Sequence, residues 1–447
     1  MKTFFIDNHG CAKNQVDAEE MAARLERDGW NEAPSAEGAE LIIVNSCGFI
    51  EEAKKESIEA VMAIRQAFPG KRILFAGCLA QRYADALHEG LAEADGIFGN
   101  GDLSLLGQAA LAALEGRRQA LAPAIMPYAP ERRKRLRGFP GMAYLKIAEG
   151  CSNKCSFCAI PVIRGGLSSR DTDDAVKEFE ELVRSGVYEV CIIGQDLGSY
   201  GLDRSGRSLL PELLEGISSV SGDFRVRMLY IHPDRFPLRI LDSCSRDARI
   251  VPYFDLPFQH ASERILKAMN RSGNAERYLS LLGDIRSALP DAVVRSTLLL
   301  GFPGEEEEDF AALRNFQDAA RLDWLGAFAY SREEDTPAYA LKGRVAKKTA
   351  LARKKAVESA QEAISAQALA RWVGRDVDVL IEESINAFGE DGPAGEDEEF
   401  AIARGPMNAP EVDGAIVVVG GEYKPGDVAR VRISAVRGLD LEAVPRA

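Results

Sequence analysis

The sequence predicts an α/β protein with three consecutive parts: an N-terminal parallel-sheet α/β domain, a central partial (β/α)6 barrel and a small C-terminal β-barrel. Short apolar strands alternate with amphipathic helices over two long stretches of the chain, which is typical of parallel sheets covered by helices. The end of the chain instead carries short alternating strands separated by glycine and proline turns. A length of 447 residues suits about three domains.

Residues 1–125 are predicted to form the first α/β domain, in which a strand–helix unit is repeated. The helix after the first strand places Ala18, Met21, Ala22 and Leu25 on one face. The predicted strands are Thr3–Asp7, Glu40–Ser46, Arg72–Gly77 and Asp95–Asn100. We therefore expect an open parallel sheet with helices on its faces.

One cysteine follows each of the first three predicted strands, and each stands next to a glycine. These residues are Cys11, Cys47 and Cys78. Ligands of open parallel sheets bind outside the carboxyl ends of the strands, so we expect the three thiols to converge at one edge. Three unrelated buried cysteines are the alternative, but that alternative does not explain the neighbouring glycines. Three converging thiolates with one vacant iron position predict an open iron–sulfur cluster.

Residues 126–142 are predicted to be a linker that is rich in proline and basic residues. Its basic run, Arg132–Arg137, could contact an anionic partner. We interpret this run as part of a solvated linker, because runs of like charge usually lie on solvated surfaces.

Residues 143–368 resume the alternation of strands and helices and are predicted to form the partial barrel. The predicted strands are Ala143–Gly150, Glu189–Asp196, Phe224–Ile231, Val251–Phe258, Ala292–Glu305 and Trp324–Ser331. In such barrels the chemistry takes place at the carboxyl ends of the strands. Functional residues are therefore expected in the loops that follow these strands.

The loop after the first barrel strand, "EGCSNKCSFCAIP" (Glu149–Pro161), contains Cys151, Cys155 and Cys158. A closed structural zinc site needs four ligands, and the nearest downstream histidine, His232, lies far away in sequence. A disulfide would leave one thiol unpaired. Three ligands with one open position instead suit a cluster or metal that must also bind a substrate or cofactor.

Four further residues are candidates that we do not assign to a site. Cys191 is predicted to lie inside an apolar strand and Cys244 in a polar loop, so neither is expected to bind a metal. His232 and His260 lie near barrel strand ends and could reach the cavity, but a structural role is the favoured interpretation. No side chain can be named as a general base, and the catalytic residues stay unassigned.

Residues 371–447 are predicted to form the C-terminal β-barrel, with strands in "RDVDVLIEE", "EEFAIAR", "GAIVVV" and "DVARVRISAV". This part carries 8 Lys and Arg against 16 Asp and Glu, a net charge of −8, and the whole chain has a net charge of −14. Such a surface repels phosphate and attracts a basic partner.

The cysteine loop resembles the Cys-x₃-Cys-x₂-Cys loop of radical S-adenosylmethionine enzymes, with Phe157 at the usual aromatic position. The resemblance implies that Cys151, Cys155 and Cys158 hold a 4Fe–4S cluster whose fourth iron binds S-adenosylmethionine. It also implies that Phe157 and Gln195, which ends the second barrel strand, lie at the cofactor.

The N-terminal motifs "GCAKNQVD", "NSCGFIEEAKKESIEAV" and "GCLAQRY" resemble the auxiliary-cluster domain of the methylthiotransferase family, and the resemblance covers essentially the whole chain. The C-terminal barrel would then be a TRAM module. These three motifs are more similar to those of the branch that modifies an aspartate of a small-subunit ribosomal protein (number twelve) than to those of the tRNA branch. In the tRNA branch, motifs nearer "GCQMN" and "NTCSIRE" are expected.

The resemblance implies two 4Fe–4S clusters and S-adenosylmethionine as cofactors. Cleavage of S-adenosylmethionine at the barrel cluster would give a 5′-deoxyadenosyl radical, which takes hydrogen from the β-carbon of the aspartate. The cluster on Cys11, Cys47 and Cys78 would deliver sulfur, and a second S-adenosylmethionine the methyl group. The expected partners are the basic ribosomal protein and a reductase or flavodoxin-type electron donor, whereas tRNA is not expected.

The sequence shows no run of about 18 apolar residues and no signal-peptide pattern, so a cytoplasmic protein without a membrane span is expected.

Three other functions share part of the sequence pattern. A tRNA (adenosine) methylthiotransferase would need a basic face. A cobalamin-dependent radical methylase has no use for three cysteines at strand ends, and a non-catalytic electron carrier does not need a six-unit barrel.

Overall fold

A computed structural model describes residues 2–386 and 399–446 of the chain. The strands form two six-stranded sheets, a closed five-stranded barrel and a small two-stranded sheet. Both six-stranded sheets are parallel throughout, and the closed barrel comes last in the chain. The predicted fold class is confirmed.

The first sheet and its helices occupy the start of the chain. The elements are β1 (Thr3–Asn8), α1 (Ala12–Arg27), β2 (Asn31–Glu32), β3 (Leu41–Ser46), α2 (Glu51–Ala67), β4 (Arg72–Gly77), α3 (Cys78–Gly90), β5 (Gly96–Gly99), α4 (Leu106–Leu114) and β6 (Ala120–Leu121). The strand order is β2-β1-β3-β4-β5-β6. The central strand β3, "LIIVNS", is buried along its whole length, because helices cover both faces of a parallel sheet.

The second sheet is open and follows the predicted order of six strand–helix units. The elements are β7 (Met142–Lys146), β8 (Ala148–Glu149), α5 (Ile160–Arg164), β9 (Ser168–Ser169), α6 (Thr172–Arg184), β10 (Glu189–Ile193), α7 (Leu202–Ser205), α8 (Leu210–Ser218), β11 (Arg225–Met228), α9 (Ile240–Arg246), β12 (Ile250–Asp255), α10 (Glu263–Ala268), α11 (Ala275–Ala288), β13 (Val293–Leu300), α12 (Glu307–Ala320), β14 (Trp324–Ala329) and α13 (Lys347–Ala370). The strand order is β7-β10-β11-β12-β13-β14, and β8 pairs with β9 in the small separate sheet. Cys244 lies buried in α9, so its predicted place in a polar loop is wrong.

The linker before β7 is less solvated than predicted. The side chain of Arg133 is 2% exposed and forms ion pairs with Glu19 of α1 at 2.6 Å and Glu178 of α6 at 2.5 Å. Tyr128 donates a hydrogen bond to Glu20 of α1 at 2.7 Å. The interpretation of the basic run as solvated is therefore wrong for Arg133, which ties the linker to both neighbouring sheets.

The closed barrel at the end of the chain contains one strand more than the sequence pattern indicates. Its strands are β15 (Asp376–Asn386), β16 (Glu399–Arg404), β17 (Ile416–Val419), β18 (Val428–Arg437) and β19 (Asp440–Pro445), in the order β15-β16-β17-β19-β18. Strand β19 closes the barrel by pairing with both β17 and β18. Within the two described ranges, none of the helices has the length and apolar character needed to cross a bilayer.

The second sheet buries its two faces against different parts of the chain. One face packs on its own helices. The other face presents Tyr144, Cys191 and Tyr253, which share one apolar cluster with Val379 of the closed barrel and Val16 of α1. The C-terminal barrel and the first helix together therefore cover the inner face of the open barrel.

A buried charge cluster fixes the closed barrel to the second sheet. Glu189 of β10 is fully buried and pairs with Arg225 at 3.2 Å, with Arg227 at 2.9 Å and with Arg404 of β16. Arg227 also donates to the backbone carbonyl of Gly405 at 2.9 Å. Burial alone would raise the pKa of Glu189, but Arg227, Arg404 and Arg225 outweigh it and hold that pKa well below its ordinary value.

Candidate functional site

The first set of cysteines lies at the carboxyl ends of three neighbouring strands. Cys11 caps the N-terminus of α1 after β1, Cys47 follows β3 directly, and Cys78 begins α3 after β4. Strand β3 pairs with both β1 and β4, so the three loops are adjacent. The structure therefore brings these residues to one sheet edge.

The glycines beside these cysteines are required by close packing of the loops. A Cβ atom at Gly10, whose φ is +127°, would lie 2.8 Å from Asn14 Oδ1 and 3.2 Å from the Cβ of Cys47. A Cβ atom at Gly48 would lie 2.8 Å from the carbonyl carbon of Cys78. No side chain fits at either position, and the glycines allow the cysteine loops to touch.

Nitrogen donors surround the sulfur of Cys78. Arg164 Nη2 lies 3.0 Å from this sulfur, Asn100 Nδ2 lies 3.6 Å from it, and Asn14 Nδ2 lies 3.7 Å from it. Burial raises the pKa of the Cys78 thiol, and burial raises the pKa of Cys47 to about 12. Bound iron would stabilise the thiolate in such a place, and N–H donors complement a thiolate rather than a thiol. The donor set therefore fits a cluster ligand.

The second set of cysteines lies in the loop after β7 and β8. Backbone hydrogen bonds hold this loop: Cys151 N donates to Gly165 O at 3.0 Å, and Ser156 N donates to Met269 O at 2.9 Å. Burial raises the pKa of Cys151 to about 11 and that of Cys158 to about 12. These thiols, too, would need bound iron to ionise near neutral pH.

Gln195 lies beside this loop with one polar atom unsatisfied. Its Nε2 donates to Glu149 Oε1 at 2.5 Å, whereas its Oε1 is buried and has no hydrogen-bond partner in residues 2–386 and 399–446. A free buried acceptor suits a ligand that donates a hydrogen bond, and the predicted cofactor has an amino group. Phe157 is half-buried and packs on the apolar core of the second sheet.

The part of the chain that the structure describes holds no group of three or more His, Cys, Asp or Glu side chains arranged for a single metal ion. A 4Fe–4S cluster binds each thiolate at a separate iron, so its cysteines do not need to meet at one point. The N–H donors around Cys78 fit a thiolate of the first set, whereas Cys151 and Cys158 of the second set are buried thiols that bound iron would ionise.

Cys78 of the first set lies beside the segment that follows the second set of cysteines. This residue forms a small apolar cluster with Ala159 and Ile163. Ala159 directly follows Cys158, and Ile163 lies in α5, which packs on α3. The edge of the first sheet thus meets the loop of the second set, although the cysteines lie far apart in sequence.

A buried charge network lies next to this contact. Asp17 of α1 pairs with Lys146 and with Arg164, in each case at 2.6 Å. Glu149 pairs with the same two cations, at 3.0 Å and 2.9 Å. Two acids and two bases therefore join the first helix to the loop of the second set. The sequence pattern assigns none of the four residues a role, although Asp17 ends the motif "GCAKNQVD" and Glu149 begins the loop "EGCSNKCSFCAIP".

The other candidates make local contacts. Cys191 is fully buried in the inner-face cluster. His260 Nδ1 accepts from Ser262 N at 3.0 Å, and His232 Nδ1 accepts from Asp234 N at 3.2 Å. Burial lowers the pKa of His232 to about 4. These contacts support structural roles for both histidines.

Three known protein families match consecutive stretches of the chain. Residues 3–99 match "Uncharacterized protein family UPF0004", residues 145–316 match "Radical SAM superfamily" and residues 373–445 match "TRAM domain". The three matches follow the order of the first sheet, the second sheet and the closed barrel.

Curated relatives extend over nearly the whole chain. A Treponema denticola protein named "Ribosomal protein uS12 methylthiotransferase RimO" is 44% identical over 473 residues, covering 98% of this chain and 100% of the relative. A Thermosipho africanus protein of the same name is 38% identical over 444 residues, covering 98% of each. The chain belongs to the RimO methylthiotransferase family.

A solved structure shares the fold of this RimO-family chain. The radical S-adenosylmethionine methyltransferase TsrM of Kitasatospora setae, with cobalamin and a 4Fe–4S cluster bound, has a TM-score of 0.55 at 16% identity, covering 76% of this chain and 74% of that one. At this identity the likeness shows the fold alone. The RimO relatives confirm the prediction of a radical S-adenosylmethionine methylthiotransferase of the ribosomal-protein branch.

Proposed function

We propose that this chain adds a methylthio group to the β-carbon of an aspartate in ribosomal protein uS12. The observation that carries the proposal is the apolar cluster of Cys78, Ala159 and Ile163, which places a residue of the first set beside the segment that follows Cys158 of the second set. A methylthio transfer needs sulfur delivered to the carbon from which hydrogen is taken, so two open clusters must face one cavity. The names of the RimO relatives support uS12 as the substrate.

The proposal assigns a 4Fe–4S cluster to each set of cysteines and S-adenosylmethionine to the second. Cys151, Cys155 and Cys158 would hold one cluster, and Cys11, Cys47 and Cys78 the other. When bound, these groups supply one-electron chemistry that can take hydrogen from an unactivated carbon and replace it with sulfur. Gln195 and Phe157 are proposed to contact S-adenosylmethionine.

The chain's own side chains position these ligands and exclude water. Arg164, Asn14 and Asn100 direct N–H groups at the sulfur of Cys78, which favours its ionised form. Asp17 and Glu149 hold Arg164 from two sides, so its guanidinium keeps one orientation. The apolar cluster on the inner face of the second sheet borders the site and helps to exclude water from it.

The acidic C-terminal part suits a basic ribosomal protein and does not suit tRNA. A net charge of −8 there speeds encounter with a basic partner, and salt screens the effect with a Debye length of about 8 Å. Part of this charge comes from the acidic run Glu396–Glu399, which lies outside the described residues except for Glu399, the first residue of β16. A ribosomal substrate also supports a cytoplasmic location, and a flavodoxin-type reductase is proposed as the electron donor.

Products weighed after two parallel incubations test the substrate. Reconstituted enzyme with purified uS12 should increase the mass of one aspartate-containing peptide by one methylthio group. The same enzyme with bulk tRNA should leave the tRNA mass unchanged. Modified tRNA together with unmodified uS12 would contradict the proposal and would make the chain a tRNA (adenosine) methylthiotransferase.

Replacing Cys11, Cys47 and Cys78 together by alanine should separate the two steps of the reaction. We expect iron to fall from about eight to about four atoms per chain, because only one set of thiolates is removed. Cleavage of S-adenosylmethionine should persist, whereas sulfur insertion should stop. Iron and sulfide analysis of anaerobically reconstituted protein measures the first result, and unchanged iron would show that this set holds no cluster.

A further inference from the structure

Lys13 is a buried cation in the first turn of α1, two residues after Cys11. Its side chain belongs to the buried polar groups of the protein, with 8% of the residue exposed. Helix α1 covers the inner face of the second sheet through Ala12 and Val16, which flank Lys13 in sequence. The lysine therefore lies between the edge of the first sheet and the carboxyl ends of the barrel strands.

No carboxylate oxygen of residues 2–386 or 399–446 lies within 4.0 Å of the Lys13 ammonium. The two acids that act on it most strongly already have partners. Asp255, the last residue of β12, pairs with Arg295 at 3.1 Å, and Glu149 pairs with Lys146 and Arg164. The residue is mostly buried, but its Nζ is not among the fully enclosed polar atoms that lack a hydrogen bond, so it can still be reached. A mostly buried ammonium without an anion is costly, and Lys13 is therefore open to an anion that the folded chain does not supply.

An aromatic ring holds this ammonium in place. Lys13 Nζ lies 3.4 Å from the ring centroid of Tyr230, close enough for a strong cation–π contact. Tyr230 stands two residues after β11 with a φ of 69°, which is uncommon for a residue other than glycine. Its carbonyl accepts from Leu197 N at 2.9 Å. The ring occupies one side of the ammonium and leaves N–H donors for a ligand.

Lys13 lies near residues that belong to, or adjoin, each of the two sets of cysteines. Cys11 belongs to the first set of cysteines, and Glu149 stands two residues before Cys151 of the second set. A substrate atom that meets both clusters must pass close to this position. The target side chain of the proposed substrate ends in a carboxylate, which is the anion that an unpaired ammonium would bind.

We propose that Lys13 binds the carboxylate of the target aspartate and so selects aspartate over its neutral amide. The inference rests on the proposed function, because it takes the substrate from it. Lys13 is a substrate-binding residue in this scheme and takes no part in electron transfer. A charge-assisted hydrogen bond in a water-poor site gives about 10- to 100-fold discrimination.

Binding of two substrate forms to four enzyme forms tests the proposal. The enzymes are the reconstituted full chain, Lys13→Met, Lys13→Arg and the control Lys177→Met, which changes an exposed lysine of α6. The substrates are uS12 and its variant with asparagine at the target position. We expect the unchanged enzyme and Lys177→Met to bind the aspartate form of uS12 about 10- to 100-fold more tightly than the asparagine form.

Lys13→Met should bind both forms alike, with the affinity that the unchanged enzyme has for the asparagine form, while Lys13→Arg keeps part of the preference. Iron content and the absorption spectrum should stay unchanged in Lys13→Met. A Lys13→Met enzyme that still prefers aspartate overturns the proposal. Loss of iron with equal weakening toward both forms also overturns it, because Lys13 would then serve the cluster.

Failure of the proposed function gives a different result. In that case the unchanged enzyme neither binds nor modifies uS12, and the inference about Lys13 is wrong together with the proposed function. An unchanged enzyme that modifies uS12 but shows no preference for aspartate over asparagine overturns the Lys13 proposal alone. If Lys13→Met does not fold, Lys13→Gln decides, because glutamine also lacks the charge. Loss of the preference for aspartate with iron content retained supports the proposal, and full preference in Lys13→Gln overturns it.

Discussion

Replacing Cys151, Cys155 and Cys158 together by alanine should abolish cleavage of S-adenosylmethionine and remove about half of the iron. The proposed open iron of this set is where the cofactor would bind, and no other three cysteines lie at the carboxyl end of a barrel strand in the described residues. Without the cluster on these three cysteines, the proposed source of the radical is lost, so transfer of the methylthio group to uS12 must stop as well. Formation of 5′-deoxyadenosine under anaerobic, reducing conditions measures the loss, which should reach the uncatalysed background.

Cys244→Ala provides a matched control for this triple replacement. Cys244 is buried in α9 and has no assigned ligand role, so iron content and cofactor cleavage should match those of the unchanged protein. Removing a buried thiol lowers stability modestly, by about 1 kcal/mol. Substantial 5′-deoxyadenosine from the triple variant would show that this loop does not hold the reactive cluster.

Replacing Glu189 by alanine should lower the free energy of unfolding of the C-terminal barrel and its interface by about 3–5 kcal/mol. Arg225, Arg227 and Arg404 would then share a buried space with no anion to neutralise them. Fluorescence in a denaturant titration measures the effect, because Trp324 Nε1 donates to Met407 O across the interface at 2.7 Å. Trp372 shares the apolar cluster of Trp324, whereas Trp30 lies in the first sheet, and the part of the fluorescence transition that comes from the interface should move to lower denaturant concentration.

Glu442→Gln is the control for this change. Glu442 pairs with Arg437 at 3.0 Å on the surface of the closed barrel, and exposed pairs contribute about 0–1 kcal/mol. Its transition should therefore stay close to that of the unchanged protein. Equal shifts in the Glu189 and Glu442 variants would mean that the buried cluster does not hold the barrel in place.

The Glu189 cluster should also give the interface a characteristic response to acid. The pKa of Glu189 in the folded protein lies well below its value of about 4.3 in an unfolded chain. The cluster therefore contributes its full stability above pH of about 4.3, and the contribution falls as the pH drops toward the lower, folded-state pKa. Glu189→Gln has no carboxylate to protonate, so its stability should decline less steeply over the same acid range.

The sequence predicts the parts of this site that follow from the topology of parallel sheets. Cys11, Cys47 and Cys78 each follow a strand, and parallel strands that pair must bring their carboxyl ends to one edge. The loop of the second set is likewise placed by the first barrel strand. The two-residue strands β2 and β6 have too little sequence to show a pattern. Strand β19 has six residues but buries only Leu441 and Ala443, so the structure alone identifies it.

The contacts between the sheets cannot be predicted in this way. Asp17 lies 129 residues from Lys146 and 147 residues from Arg164, and a charged residue in a helix pattern gives no sign of its distant partner. Arg133 looks like any member of a basic run until two buried glutamates meet it. Lys13 is similar, because only the packing of α1 on the inner face of the second sheet shows that its charge is buried and unpaired.

The contact between Arg164 and Cys78 has a consequence for the order in which the protein matures. A nascent chain that has emerged only as far as the end of the first sheet already carries Cys11, Cys47 and Cys78, but it lacks the guanidinium that faces the sulfur of Cys78. Ala159 and Ile163, which share an apolar cluster with Cys78, are also still to be synthesised. The first set is therefore completed by the domain that follows it, so the surroundings of Cys78 form only after the two domains have docked.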